Sequence, residues 1–404
     1  MTKSEAGSPT PLVAHTPRPL ALVMGGGGAR AAYQVGFLKA LARSQPEIHF
    51  PIITGVSAGA INAAHLASHQ GTFPEAVDDL VKLWDSLTMD QVFRLDAHHV
   101  AVNAIRWGLQ LTSGGLFGKP KIRSLVDTTP LRRFLERALG ERDGLIPGIV
   151  KNVQSGRLQA LAITSSSYST AQSVTWVQGM RVREWSRPQR RAQRASIGVD
   201  HVMASSAIPL FFPAVEIDHE WHGDGGVRFS APLSPALRLG AERILAISTR
   251  SDRLARESNQ SFLTGYPPPA QVIGSLMNSI FLDLLDQDAW QIETMNRLIR
   301  KVPLREREEF RMVHLMTLRP SQDLGKLAFD FELGLPRVFR FLMRGLGTHQ
   351  TESPDVLSFL LFEPAYLRLL MEIGEQDGEA KMGEVKALLR SNPSSSQHSS
   401  ERKQ

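Results

Sequence analysis

Two short apolar runs, each passing straight into a glycine-rich turn and then a helical pattern, constrain this chain more than any other feature. Leu20 to Met24 reads LALVM and is followed by four glycines, Gly25 to Gly28, and then by Ala31, Val35, Leu38 and Ala42 at helical spacing. His49 to Ile53 reads HFPII and leads through Thr54 into Gly55-Val56-Ser57-Ala58-Gly59. After that turn Ala60, Ala63, Ala64 and Ala67 form a small-residue helix face. Strand, turn and helix recurring in this way predict an α/β fold with a mainly parallel central sheet.

Further strands are expected at 157–164, 173–178, 243–249 and 311–318. Helices are expected at 76–87, 130–139, about 270–300, 335–346 and 353–378. Between the first two of these, residues 87–118 hold an apolar, glycine-containing stretch (101–117), which suits a lid or lipid-facing region and equally an ordinary packed excursion. Residues 1–19 are polar and proline-containing and read as a disordered leader; 391–404 have the composition of a disordered tail. A catalytic domain over 20–250 is expected, followed after a polar linker by a mainly helical region, 251–390, packed on it.

The absence of cysteine excludes a disulfide framework, a thiolate nucleophile and any cysteine-ligated metal, and it suits a reducing compartment. No apolar run approaches the roughly 18 to 20 residues of a membrane-spanning helix, so a cytoplasmic protein with at most peripheral membrane contact is expected. The formal charge of +6 and pI near 9.7 favour anionic partners, nucleic acid or acidic lipid alike. Much of the excess is local. Arg181, Arg183, Arg187, Arg190, Arg191 and Arg194 surround a single acid, Glu184, and read as a solvated basic loop or as a contact for anionic head groups.

Gly55-Val56-Ser57-Ala58-Gly59 is a G-x-S-x-G sequence between a strand-like run and a helix, the context in which a sharp turn lifts a serine hydroxyl clear of the backbone. Glycine tolerates the crowding and the unusual dihedrals of that turn, and the helix N-terminus favours developing negative charge. Gly25 to Gly28 place unhindered N–H groups where they can converge on an anion, whether a cofactor phosphate or the oxyanion of acyl transfer. Residues 26–31 fit G-x-G-x-x-A as well. A dinucleotide site also needs an acid at the end of the next strand, and Glu47 instead precedes that run. Asp224 stands in His222-Gly223-Asp224-Gly225-Gly226, where Gly225 and Gly226 allow a tight turn.

Four motifs in this order resemble those of patatin-like phospholipases: GGGAR-AYQ in 26–34, GVSAG in 55–59, ASSAIPLFFP in 204–213 and DGG in 224–226. The similarity covers about 20–250, and the stretch near 358–378 resembles the tail region of bacterial members. The resemblance implies a three-layer α/β/α fold with a helical C-terminal extension. It implies Ser57 as nucleophile, Asp224 as its partner, and Gly26, Gly27, Gly28 with Arg30 as the oxyanion element. It further implies a lipid or phospholipid substrate, no nucleic-acid partner, and neither metal nor cofactor. One departure is Ala31, where the family usually has glycine.

A general carboxylesterase or thioesterase would share this chemistry, and a catalytically silent membrane-docking protein would share the fold. A conventional triad would draw its imidazole from downstream of Asp224, leaving His314 and His349 as candidates. His201, His219 and His222 lie near Asp224 at spacings that match no standard metal site.

Overall fold

Every residue of Leu20–Met24 is buried, as befits a short apolar strand in the middle of a sheet covered on both sides. The computed structural model describes residues 19–94, 124–180, 182–251, 266–281, 283–307, 310–345, 347–348 and 355–390. Ten strands among them make one sheet. They are β1 (Leu20–Met24), β2 (Ile52–Val56), β3 (Ala160–Ser167), β4 (Gln172–Gly179), β5 (Trp185–Arg187), β6 (Arg190–Arg194), β7 (Val215–Ile217), β8 (Glu220–Asp224), β9 (Arg243–Ile247) and β10 (His314–Leu318). The order is β10-β9-β1-β2-β3-β4-β6-β5, and β10, β9, β1, β2 and β3 run parallel.

Alternation along the strands divides the core into two layers. Leu20, Leu22, Met24, Leu161, Ile163, Leu245 and Ile247 face one layer, while Ala21, Val23, Ala160, Ala162, Ile244 and Ala246 face the other. The first layer is filled by α1 (Ala32–Ser44), α2 (Ala58–Ser68), α3 (Phe73–Asp85) and the long helix Pro364–Arg390; the second by helices Ser234–Arg238 and Asp283–Lys301. The result is the three-layer α/β/α fold with C-terminal helices that the sequence predicts.

The strand β3 decides where the site forms. Its first half pairs with parallel β2, ending at Val56 opposite Thr164. Its second half pairs along the same edge with antiparallel β8, which brings Asp224 opposite Ser165. Two chain segments therefore run toward each other along one strand edge, and the residue after Val56 meets the last residue of β8.

Several boundaries differ from expectation. The second strand starts at Ile52 and not at His49, because Pro51 has no N–H for the ladder and its carbonyl instead accepts from Gln159 and Ala160. The pattern over about 270–300 is two helices, Pro269–Phe281 and Asp283–Lys301. Much of the basic run forms strand β6, paired to β4, and the edge strand β5 beside it, in place of the expected loop. Residues 1–18, 391–404, 95–118 of the expected lid, 252–260 of the expected linker, Arg181 and His349 lie outside the described residues. No helix among the described residues is long and apolar enough to cross a membrane.

Candidate active site

Ser57 is held in a left-handed backbone conformation, φ 55°, between the end of β2 and the start of α2. That conformation is costly for a residue with a Cβ and persists only where its surroundings enforce it. Two neighbouring serines do so. Ser205 accepts the Ser57 N–H at 3.0 Å and donates to the Thr164 carbonyl at 2.6 Å, while the Ser206 hydroxyl donates to the Ser57 carbonyl at 3.0 Å. The flanking Gly55 and Gly59 stand against backbone: a Cβ on Gly59 would overlap the Gly25 and Met24 carbonyls.

The Ser57 hydroxyl donates to Asp224 Oδ2 at 2.6 Å, and both side chains are buried. Asp224 Oδ1 accepts the Gly226 N–H at 2.9 Å, which leaves Oδ2 to the serine. Burial pushes the Asp224 carboxyl up to about 7, against the opposing pull of the hydrogen bonds from Ser57 and Gly226. Its backbone is fixed too, by a 2.8 Å bond from its N–H to the Ala207 carbonyl. Gly225 faces the Thr164 carbonyl and Gly226 faces the ring of Phe281, positions where a side chain would collide.

The glycine loop passes directly over the serine: a Cβ on Gly26 would lie 3.1 Å from the Ser57 Cβ and 3.7 Å from its Oγ. The loop's carbonyls are tied down by a buried polar relay. Thr249 donates to the Gly26 carbonyl at 2.7 Å and Gln34 to the Gly25 carbonyl at 2.8 Å. Asn62 in turn donates to Gln34 at 3.0 Å and accepts from the Trp84 indole at 2.8 Å. Gly27 and Gly28 both have positive φ, 147° and 56°.

Arg30, expected among the oxyanion donors, is placed elsewhere. Its N–H donates back to the Gly27 carbonyl at 3.1 Å, closing a 3-10 turn. Its guanidinium donates to Asp355 at 2.6 Å and Ser358 at 2.7 Å and lies 4.6 Å from the Phe359 ring centroid. Arg30 therefore braces the loop from behind. Ala31 is fully buried in that turn without distortion, its carbonyl accepting from Asn62.

None of the described histidines touches the pair. His314 opens β10 opposite Arg243, at the other end of the parallel strands from Ser57. His201 and His222 stack edge-on against Trp176, and His222 is 3.1 Å from the Ser165 hydroxyl. His219 lies in the tight β7–β8 turn with Asp218, both at positive φ. The arginines of the basic run are dispersed: Arg191 pairs with Glu220 at 2.8 Å, Arg190 is half-buried, and Arg183, Arg187 and Arg194 are exposed.

A family model for patatin-like phospholipases matches residues 22–237, a span that contains the second half of β1, the Ser57 turn and the Asp224 turn. The chain belongs to the patatin-like phospholipase family. No curated protein matches it significantly in sequence. Among solved structures, human GIVD cytosolic phospholipase A2 is similar at 12% identity and a TM-score of 0.46, over 92% of this chain and 60% of the human one. The type III effector ExoU of Pseudomonas aeruginosa is similar at 15% identity and TM-score 0.38, over 91% of this chain and 53% of ExoU. VipD from Legionella pneumophila is similar at 13% identity and TM-score 0.35, over 88% of this chain and 67% of VipD. The chain thus spans about 60% of the human structure it matches.

An apolar cavity of about 30 Å³ opens beside Ser57, lined by Ile61, Trp84, Leu131, Phe134, Ile208 and Phe212 among others. On the opposite side Phe281, at the end of helix Pro269–Phe281, covers Gly26 and Gly226. Ser205, Ser206, Gln34, Asn62, Thr249 and Phe281 were not singled out from sequence. The first three lie inside the family motifs at 204–213 and 26–34; the others carry no local signal.

Proposed function

We propose that this chain is a serine acyl hydrolase that cleaves lipid acyl esters through Ser57 and Asp224. The observation that carries the reading is the 2.6 Å hydrogen bond from the Ser57 hydroxyl to a fully buried carboxylate, directly under the Gly26 turn. An ordinary carboxylate is a weak base toward an alcohol. Burial that raises Asp224 to about 7 makes it a stronger proton acceptor while leaving it substantially ionised at neutral pH.

In the first half-reaction Ser57 Oγ attacks the ester carbonyl carbon as Asp224 Oδ2 takes its proton. The carbonyl oxygen becomes an oxyanion that accepts from the N–H groups of Gly26, Gly27 and Gly28. Collapse of this intermediate breaks the ester C–O bond, and Asp224 returns its proton to the departing alcohol or lysophospholipid. Water then attacks the acyl-serine, giving up a proton to Asp224, and the fatty acid leaves as Ser57 Oγ recovers that proton. The chemistry asks for no metal or cofactor. The apolar cavity takes the first carbons of the acyl chain, and the exposed Arg183, Arg187 and Arg194 add positive potential that draws the protein toward anionic head groups.

A fluorophosphonate probe is expected to label the wild-type chain and not Ser57→Ala. Labelling that survives the substitution would remove Ser57 from the mechanism. Long-chain phospholipid in vesicles is the expected preferred substrate. Turnover confined to short p-nitrophenyl esters would favour a general carboxylesterase.

A further inference from the structure

Where the chain runs from 328 to 345, three large apolar side chains reach solvent, Phe329 at 43% and two much further, in a stretch that holds three arginines and the acids Asp330 and Glu332. Leu333 is 77% and Phe341 76% exposed. Helix Arg337–Gly345 buries Phe339 and Met343 and turns Phe341 outward. Arg337 lies one helical turn before Phe341 and Arg344 three residues after it, so both flank it on the helix surface. Arg340 donates to the Leu333 carbonyl at 3.1 Å, which joins the helix to the turn that carries Leu333. The helix carries three arginines and no acid, although Arg344 lies 3.2 Å from the buried Glu332.

The patch is anchored to the walls of the site. Phe339 lies 5.9 Å from Phe93, and Phe93 lies 5.9 Å from Phe212, a wall of the cavity beside Ser57. At its other end Phe331 packs 5.6 Å from Tyr366, the first buried residue of the long C-terminal helix.

We propose that Leu333 and Phe341, with Arg337, Arg340 and Arg344, form a face that seats the protein on an anionic phospholipid bilayer. Apolar tips enter the boundary between head groups and acyl chains while Arg337, at the end of a flexible stem, reaches lipid phosphates, and Arg340 and Arg344, held on the Leu333 carbonyl and Glu332, add positive charge around them. An acidic protein groove offers the same charge. The bilayer is the occupant argued here because the inference rests on the lipid-hydrolase reading above, whose substrate must pass from a bilayer into a cavity two aromatic contacts from this helix. The β5–β6 edge adds charge but no comparable pair of exposed apolar tips.

The test uses the full-length chain and sedimentation with vesicles of phosphatidylcholine, with and without phosphatidylglycerol. Wild type is expected to bind the anionic vesicles. Leu333→Ser/Phe341→Ser is expected to bind them about tenfold more weakly or worse, and Arg337→Gln about fivefold more weakly. Hydrolysis of soluble p-nitrophenyl butyrate should be unchanged in both variants. Unchanged vesicle binding by the double variant overturns the proposal. So does failure of the wild type to bind anionic vesicles, which would point to a protein partner, and so does loss of soluble-ester turnover in the double variant, which would make the face a support of the site. If wild type binds vesicles as expected yet hydrolyses neither soluble ester nor vesicle phospholipid, the docking face stands and the Ser57–Asp224 reading falls.

Discussion

Asp224 concentrates the consequences of burial in one group. The folded chain favours its protonated form, with a pKa near 7, whereas an exposed aspartate titrates near 3.8. Between those values the folded state holds a proton that the unfolded state releases, so folding stability falls as pH rises through this window and stays low above it. Asp224→Asn removes the buried charge and is expected to be inactive yet more stable at pH 8, by on the order of 2–4 kcal/mol, with the gain vanishing near pH 4. Thermal midpoints at the two pH values check this; equal gains at both would show that the carboxyl is not titrating as argued. Wild-type kcat/KM should rise with pH through about 7 as the base ionises. Gly26→Ala tests the other half of the site. Its methyl would sit 3.1 Å from the Ser57 Cβ and push the loop away, with an expected loss of about 10² to 10³ in kcat and little change in thermal midpoint.

Among elements, the short helix Asp355–Leu360 is the support on which the glycine loop rests. Arg30, 3% exposed, has its charge met by Asp355, which also accepts from Asn278 at 2.7 Å and so joins the loop to helix Pro269–Phe281. Asp355→Ala leaves a guanidinium buried and unpaired, an expected cost of about 3–5 kcal/mol together with reduced turnover. Replacing both partners, Arg30→Met with Asp355→Leu, should recover much of the stability, because no buried charge is left behind. Denaturant midpoints of the single and double variants decide the matter. A double variant as unstable as the single one would show that shape, and not charge, holds this contact.

On the scale of the molecule, the C-terminal region completes the fold that carries the site. β10 extends the sheet beside β9, and helix Pro364–Arg390 lies along α1, with Gly374 against the Tyr33 carbonyl and Gly36 against the Met371 carbonyl. Tyr33 donates to Asp377 at 3.0 Å and Lys39 pairs with Glu375 at 2.7 Å. Ending the chain at residue 361 would strip cover from Tyr33, Phe37 and Leu41, all fully buried on α1. Such a truncation is expected to lose its near-ultraviolet circular dichroism and elute as aggregate on gel filtration. A monodisperse, fully active fragment would refute the dependence.

The amino-acid sequence by itself determined the α/β class, through apolar runs that become strands and glycines where backbones crowd, while the family and the candidates Ser57 and Asp224 came from four short motifs in order that resemble the family's. His314 and the other described histidines dropped out, and Arg30 changed from expected anion donor to brace, only once strand order and helix placement were in view. Ser165 opposite Asp224, Asp355 beneath Arg30 and Phe281 over Gly226 are contacts between segments far apart in the chain. No local pattern encodes them; they follow from which strand edges pair and which helix faces pack, and tertiary structure alone decides that.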